Sequence, residues 1–226
     1  MLSVELHSHS ALSHDGRDPV DLLLEQARAV GLDALAVTDH DEIDASLEAE
    51  ELASEYGLVG IPGTEVTSEA GHVLALGVRE RIEKGLPFDE TLDRIHGTGG
   101  IAVVPHPFQK SRSGVGANVT PAQLARADAI EVYNSRLLTG RGNRRARKFA
   151  EKHGLPMTAG SDAHISEMVG QAVTLIDAEP TVEAITEAIR EGRTEIGGKR
   201  TPWRISFRQA AGGAKRRVRS RLSELL

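Results

Sequence analysis

Short apolar runs recur along the chain, and most are followed by a stretch with helical spacing. The runs are residues 4–6, 34–37, 58–61, 73–76, 101–104, 129–132, 156–158 and 172–176, rich in Val, Ile, Leu and Ala. Continuous rather than alternating hydrophobicity is the pattern of strands covered on both faces. The intervening stretches carry boundary signals. Asp18-Pro19 precedes apolar positions Val20, Leu23, Leu24 and Ala27, and Gly31 stands where a left-handed C-cap belongs. Thr120-Pro121-Ala122-Gln123 has the form of a capping box. Further helices are predicted over 42–56, 88–97, 138–153 and 181–191, with Gly57, Gly154 and Gly192 closing three of them. Repeated strand–helix units imply an α/β fold with a parallel sheet, either closed into a barrel or doubly wound.

Composition narrows the chemistry. The 226 residues include no cysteine, which excludes disulfides, thiolate zinc sites, iron–sulfur clusters and cysteine nucleophiles. Aromatic residues make up only 3%, so aliphatic side chains and alanine must fill the core. No apolar run approaches the roughly 18 residues of a membrane span, and the N-terminus lacks a signal-peptide pattern. A cytoplasmic protein without membrane contact is the expectation. The net charge of −6 is unevenly spread: residues 199–226 hold nine basic residues and one acid, leaving 18 basic and 32 acidic residues in 1–198. This divides the chain into a body, 1–198, and a basic C-terminal tail, 199–226, expected to be helical and able to grip nucleic acid or an acidic partner.

In parallel α/β proteins functional groups collect at the C-terminal ends of strands. Most of the histidines fall there. His7 and His9 follow the first run, with Asp15 after them; His40 follows the second, Glu65 the third, and His72 opens the fourth. His106 follows the fifth, Glu131 and Asn134 end the sixth, and Asp162 and His164 follow the seventh. His-x-His on an extended segment turns both imidazoles to one side, because strand side chains alternate. Taken together, His7, His9, Asp15, His40, Glu65, His72, His106, Asp162 and His164 could hold two or three divalent ions, with Zn, Mn or Fe all suited to mixed imidazole and carboxylate ligands. His96 and His153 lie in helical patterns and are expected at the surface; His14 fits either place.

In this order, His7-Ser8-His9, Thr38-Asp39-His40, Gly63-Thr64-Glu65, Pro105-His106-Pro107 and Gly160-Ser161-Asp162-Ala163-His164 resemble the polymerase and histidinol phosphatase (PHP) superfamily. The resemblance implies a distorted seven-stranded (β/α) barrel that holds two or three metals and cleaves phosphate esters. It implies a first metal site of His7, His9, Glu65 and Asp162, and a second of His72 and His106 sharing Glu65. Asp15, His40 and His164 would form a third. Several relatives insert a lid between the fourth and fifth strands. Here 33 residues separate His72 from His106, which implies a more open site.

Such a site lowers the pKa of bound water, so a metal-bridging hydroxide would attack phosphorus, with Glu65, Asp162 and His164 as the catalytic residues. Asn134, Arg136, Arg141 and Arg144 are the candidates for substrate phosphate, since a guanidinium fits phosphate oxygens in a fork. Lys110 and Arg112 lie in a Gly/Ser-rich loop that is either a phosphate clamp or an ordinary connection, and Glu131 and Tyr133 are expected in the pocket wall. The expected function is a metal-dependent phosphoesterase acting on a small phosphorylated metabolite or nucleotide. The alternatives are a nuclease that uses the basic tail and a non-catalytic metal-binding partner module.

Overall fold

Ten strands and six α-helices are laid down in a computed structural model that describes residues 1–137 and 140–199. The basic run at 215–221, and Trp203 and Phe207 before it, lie outside the described residues.

The strands form two five-stranded sheets. In the first, β1 (Leu2–Glu5), β2 (Ala34–Ala36) and β3 (Val59–Ile61) run parallel, while β9 (Ala172–Ile176) and β10 (Thr194–Gly198) extend it antiparallel beyond β1. In the second, β4 (Gly63–Ser68) and β5 (Gly71–Leu76) make an antiparallel hairpin, and β5 pairs antiparallel with β6 (Ile101–Val104). Parallel β7 (Ala129–Asn134) and β8 (Met157–Gly160) complete it. The expectation of uniformly parallel βα repeats is therefore corrected to a mixed arrangement. No single closed seven-stranded ladder occurs among the described residues.

Two seams join the sheets. Between β8 and β9 the Thr174 hydroxyl donates to Ala159 O (3.0 Å) and accepts Ala159 N–H (2.9 Å), replacing ladder bonds with a side chain. On the other side β3 passes into β4 through Pro62 alone, and Glu65 N–H donates to Asp39 O (3.1 Å). Both β4 and β10 escape a search for apolar runs. Gly63-Thr64-Glu65-Val66-Thr67-Ser68 and Thr194-Glu195-Ile196-Gly197-Gly198 each hold one large apolar residue.

Apolar side chains from both sheets, including Val4, Leu74, Leu76, Ile101 and Ile176, form an interior cluster closed by Ile185 and Ile189 of α6 (Val182–Arg190). Outside the first sheet, α1 (Val20–Ala29) and α2 (Asp44–Leu52) bury Leu23, Leu24 and Ala49. Outside the second, α3 (Phe88–Gly97) and α5 (Arg141–His153) bury Leu92, Ile95, Ala146 and Ala150. Between these two, α4 (Pro121–Leu124) opens with the expected capping box: Thr120 Oγ1 accepts Gln123 N–H, and Gln123 Oε1 accepts Thr120 N–H. Asp18, in contrast, does not cap α1; its carboxylate accepts Ser166 N–H (2.6 Å). No helix among the described residues is long and apolar enough to cross a membrane.

One buried acid joins the strands that carry the site. Glu5, fully buried at the end of β1, accepts N–H groups from His7 (3.1 Å), Ser161 (2.9 Å) and Gly170 (3.1 Å). Burial pushes its pKa up to about 7 against those three bonds. All three partners are donors, so Glu5→Gln turns an amide NH2 toward an N–H. The variant is expected to lose about 1–3 kcal/mol of stability. Thermal unfolding of the purified variant checks this, and an unchanged Tm would refute it.

Candidate metal centre

Backbone geometry brings the dispersed ligands to one end of the fold. His7 and His9 leave β1 fully buried on the same side, while Ser8 between them points away and donates to Ala36 O (2.7 Å). Because β5 runs antiparallel to β6, its beginning lies where the parallel strands finish, which places His72 beside His106 (ring centroids 6.0 Å apart). His106 (φ 31°) and Asp162 (φ 50°) both adopt left-handed backbone, the kind of strain that tends to persist at functional sites. Gly160 permits the close approach beneath them. A Cβ there would stand 2.6 Å from both Glu131 Oε1 and His7 Cβ.

Glu65 is the hub. Its Oε2 lies 3.3 Å from His7 Nε2, 3.2 Å from His9 Nε2 and 3.3 Å from His40 Nδ1, and its Oε1 lies 2.9 Å from His72 Nδ1 and 3.4 Å from His106 Nε2. Asp162 Oδ1 is 3.3 Å from His164 Nδ1, and Asp15 Oδ2 is 2.7 Å from His164 Nε2. All nine expected ligands fall into four overlapping groups. These are His9, Asp15, His40 and His164; His7, His106 and Asp162; His7, His9 and Glu65; and His40, Glu65 and His72. Within each group one ligand atom per residue lies within 4.8 Å of the others. His14, at the exposed rim, rests its ring 4.8 Å from that of His40 but joins none of these groups. His96 pairs with Asp128 and His153 packs on Phe149, both away from the centre, as expected.

The donor set fits metal ions. Buried atoms His9 Nδ1 and Nε2, His40 Nδ1, His106 Nδ1 and Glu65 Oε1 make no hydrogen bond of acceptable geometry, although nitrogens crowd around the carboxylate. Unsatisfied buried polar atoms are costly, and a cation among their lone pairs would satisfy them. Electrostatics point the same way. Burial opposes ionisation of Glu65, yet the charges of His7 and His72 and the His106 imidazole 3.4 Å away hold it well below the carboxylate range. Asp162 is likewise held down against burial by Arg136 and Arg112, and Asp15 by its bond to His164 and the nearby His40 ring. Burial drives His164 down to about 3.

His40 is raised to about 9: burial works against it, but the Asp15 carboxylate 3.7 Å from Nε2 and the charge of Glu65 prevail. In chelator-treated protein a raised imidazole pKa contributes stability fully below its ordinary 6.5 and loses it as pH rises through 9. Tm of the metal-free protein is therefore expected to fall between pH 7 and 9.5, less so in His40→Asn. Parallel profiles for the two proteins would contradict the assignment.

Substrate candidates divide. Arg136 enters the centre, with Nη1 2.8 Å from Asp162 Oδ1 and 2.9 Å from His164 Nε2. Asn134 donates to Glu131 Oε2 (3.0 Å) and to Asp162 Oδ2 (3.3 Å), so it positions carboxylates. Arg141 and Arg144 do not reach this cavity; both are exposed on α5, and Arg144 instead lines a separate hollow with Asn134 and Ser135. Two further residues matter more than the sequence suggested. Arg112 reaches Asp162 Oδ2 (2.9 Å) from a loop pinned by Ser113 O to His72 N–H (3.0 Å). Glu131 accepts from His7 Nδ1 (3.0 Å) and His106 N–H (2.9 Å), which fixes the His7 ring with Nε2 turned toward Glu65. The strand-end position of Glu131 was the available signal; the pairing was not. The centre opens as a cleft of about 380 Å³.

Comparison with known proteins agrees with this geometry. Residues 140–194 match the PHP-associated family model. The chain is 30% identical over 144 residues to an uncharacterised protein of Methanocaldococcus jannaschii, covering 59% of this chain and 82% of that one. A two-domain Bacteroides vulgatus protein, described as containing a predicted PHP-like metal-dependent phosphoesterase, superposes with a TM-score of 0.75 at 22% identity, over 88% of this chain and 65% of that one. The chain belongs to the PHP superfamily. Two other superfamily comparisons name activities. A phosphoribosyl 1,2-cyclic phosphate 1,2-diphosphodiesterase of Eggerthella lenta is 40% identical over 82 residues, 34% of this chain and 31% of that one. The lesion-specific Endonuclease Q of Pyrococcus furiosus shares the fold at TM-score 0.65 and 18% identity, over 86% of this chain and 57% of that one.

Proposed function

We propose that the protein is a metal-dependent phosphoesterase acting on a small phosphorylated metabolite or nucleotide. The observation that carries this reading is the convergence of nine imidazole and carboxylate ligands beside two guanidiniums, Arg112 and Arg136, in one cleft. In this reading, which follows the PHP resemblance, His7, His9, Glu65 and Asp162 hold one ion, Glu65 with His72 and His106 a second, and Asp15, His40 and His164 a third. Bound divalent ions supply Lewis-acid charge to phosphoryl oxygens and bring the pKa of a coordinated water toward neutrality. The chain's own side chains do the rest. Glu131 orients His7 through Nδ1, and Asn134 steadies Asp162. Arg112 and Arg136, which neutralise Asp162 in the metal-free protein, bind and orient phosphate oxygens. Glu65, Asp162 and His164 are the catalytic residues. Two sheets joined by the Thr174 hydroxyl at one seam and by backbone at the other support reading residues 1–198 as a distorted barrel.

A panel of mononucleotides, sugar phosphates, bisphosphates and short oligonucleotides, tested with chelated and Mn-, Zn- or Fe-loaded protein, decides the function. Turnover of small phosphates that vanishes with chelator and returns with metal is expected. Stoichiometric metal without turnover would instead indicate a binding module. A second reading, a nuclease or phosphodiesterase, is favoured by the basic helix α5, and turnover of oligonucleotides alone would establish it.

A further inference from the structure

Helix α5 carries Arg141, Arg144, Arg145, Arg147, Lys148 and Lys152 against a single acid, Glu151. Arginines elsewhere are mostly occupied by carboxylates: Arg79 by Glu50, Arg81 by Glu42, Arg94 by Glu90, and Arg126 by Asp89 and Asp93. Among the described residues, none of the six α5 cations pairs with a carboxylate. The helix buries only Ala146 and Ala150 and leaves all six basic residues exposed. Like charges three and four residues apart repel, so this face is unfavourable in the free protein and is relieved by a polyanion.

The surroundings identify the polyanion. Arg145, Lys148 and Lys152 rim a hollow of about 300 Å³ floored by Phe108 and Phe149, whose rings are 5.9 Å apart. The Arg145 guanidinium lies 4.3 Å over Phe108, only two residues beyond His106 of the metal centre. On the other side of the helix, Arg144 and Arg147 rim the hollow that contains Asn134 and Ser135. The 13-residue helix spans about 20 Å, too far for one mononucleotide to touch both ends. Phosphate-binding cations beside aromatic rings are the combination that binds unstacked nucleic acid, and the Arg145 guanidinium over Phe108 adds a planar cation for a base to stack on.

We propose that α5 and Phe108 form a binding surface for a single nucleic-acid strand, its phosphates on the basic face and its bases against the aromatic hollow. The surface begins two residues after the candidate ligand His106 along the chain and does not depend on catalysis. Its test therefore omits metal, and failed hydrolysis would leave it standing.

Fluorescence anisotropy with a labelled deoxythymidine decamer, in chelator at 50–200 mM NaCl, reads it directly. The full chain is compared with Arg144→Gln/Arg145→Gln/Lys148→Gln and with the tail variant Lys215→Gln/Arg216→Gln/Arg217→Gln. The helix variant is expected to bind at least tenfold more weakly at 50 mM salt. Its salt slope should be smaller by about 2, the loss of three phosphate contacts at roughly 0.7 each. Unlabelled decamer should displace the probe at least tenfold better than polyglutamate of equal charge or a duplex. Circular dichroism verifies that the helix variant folds; if it does not, Arg145→Gln and Lys148→Gln alone should each weaken binding about threefold. No binding by the wild-type chain, loss confined to the tail variant, or equal competition by polyglutamate or duplex would each overturn the proposal.

Discussion

Glu65→Gln is expected to lose metal and activity together, with kcat/KM falling more than about 1,000-fold, equivalent to roughly 4 kcal/mol of transition-state stabilisation. The side chain keeps its volume and one acceptor oxygen, so the effect comes from the lost charge and the second acceptor replaced by an NH2. Five imidazoles stand within 3.4 Å of the Glu65 carboxylate, which is itself almost wholly buried. A neutral amide is a weaker metal ligand than a carboxylate, and its NH2 would face the surrounding ring nitrogens. Elemental analysis of the purified variant should find at least one ion fewer per chain. Full metal content with a wild-type rate would remove Glu65 from the centre.

Asp162→Asn should be equally damaging to turnover, and it carries a second signature in the metal-free protein. Asp162 has φ 50°, a conformation asparagine accepts readily, so the backbone has no reason to move. What disappears is the charge shared by Arg112 and Arg136, whose side chains are only 25% and 18% exposed. Two guanidiniums then face each other across an amide. Removing one partner from a buried ion pair costs about 3 kcal/mol. Chelated Asp162→Asn is therefore expected to melt several degrees below the chelated wild type, and adding Arg136→Ala should restore part of the loss. A variant that is inactive but melts normally in chelator would place the arginines elsewhere. Comparing the two carboxylates separates the roles: Glu65 serves the imidazoles, and Asp162 also anchors the residues proposed to meet substrate phosphate.

The helices and their ends were legible because their signals are local. Gly31, Gly57, Gly154 and Gly192 all have positive φ between 65° and 77°, a conformation that favours glycine wherever the chain leaves a helix that way. The ligand residues were legible for a similar reason: imidazole and carboxylate pairs at strand ends stand out against apolar runs. Asp18 shows where local reading fails. A capping acid before proline is a sound signal, but Ser166 N–H, from a segment 148 residues away, claims the carboxylate.

The sequence by itself determined which residues could bind metal, which segments are helical, and that no thiol chemistry is available, since each depends on residue type and near-neighbour spacing. Only the tertiary structure decided that β5 runs back antiparallel to β4 and β6, delivering His72 to the end where the parallel strands stop, while β4 continues from β3 and brings Glu65 beside His40. It also decided that Arg112 enters the centre, that Arg141 and Arg144 remain outside it, and that Glu131 holds His7. Side-chain direction in a mixed sheet depends on register with other strands, and one residue of slip reverses it. That information resides in contacts between separate segments, 50 residues apart for Arg112 and Asp162 and 124 for His7 and Glu131, where no local pattern can record it.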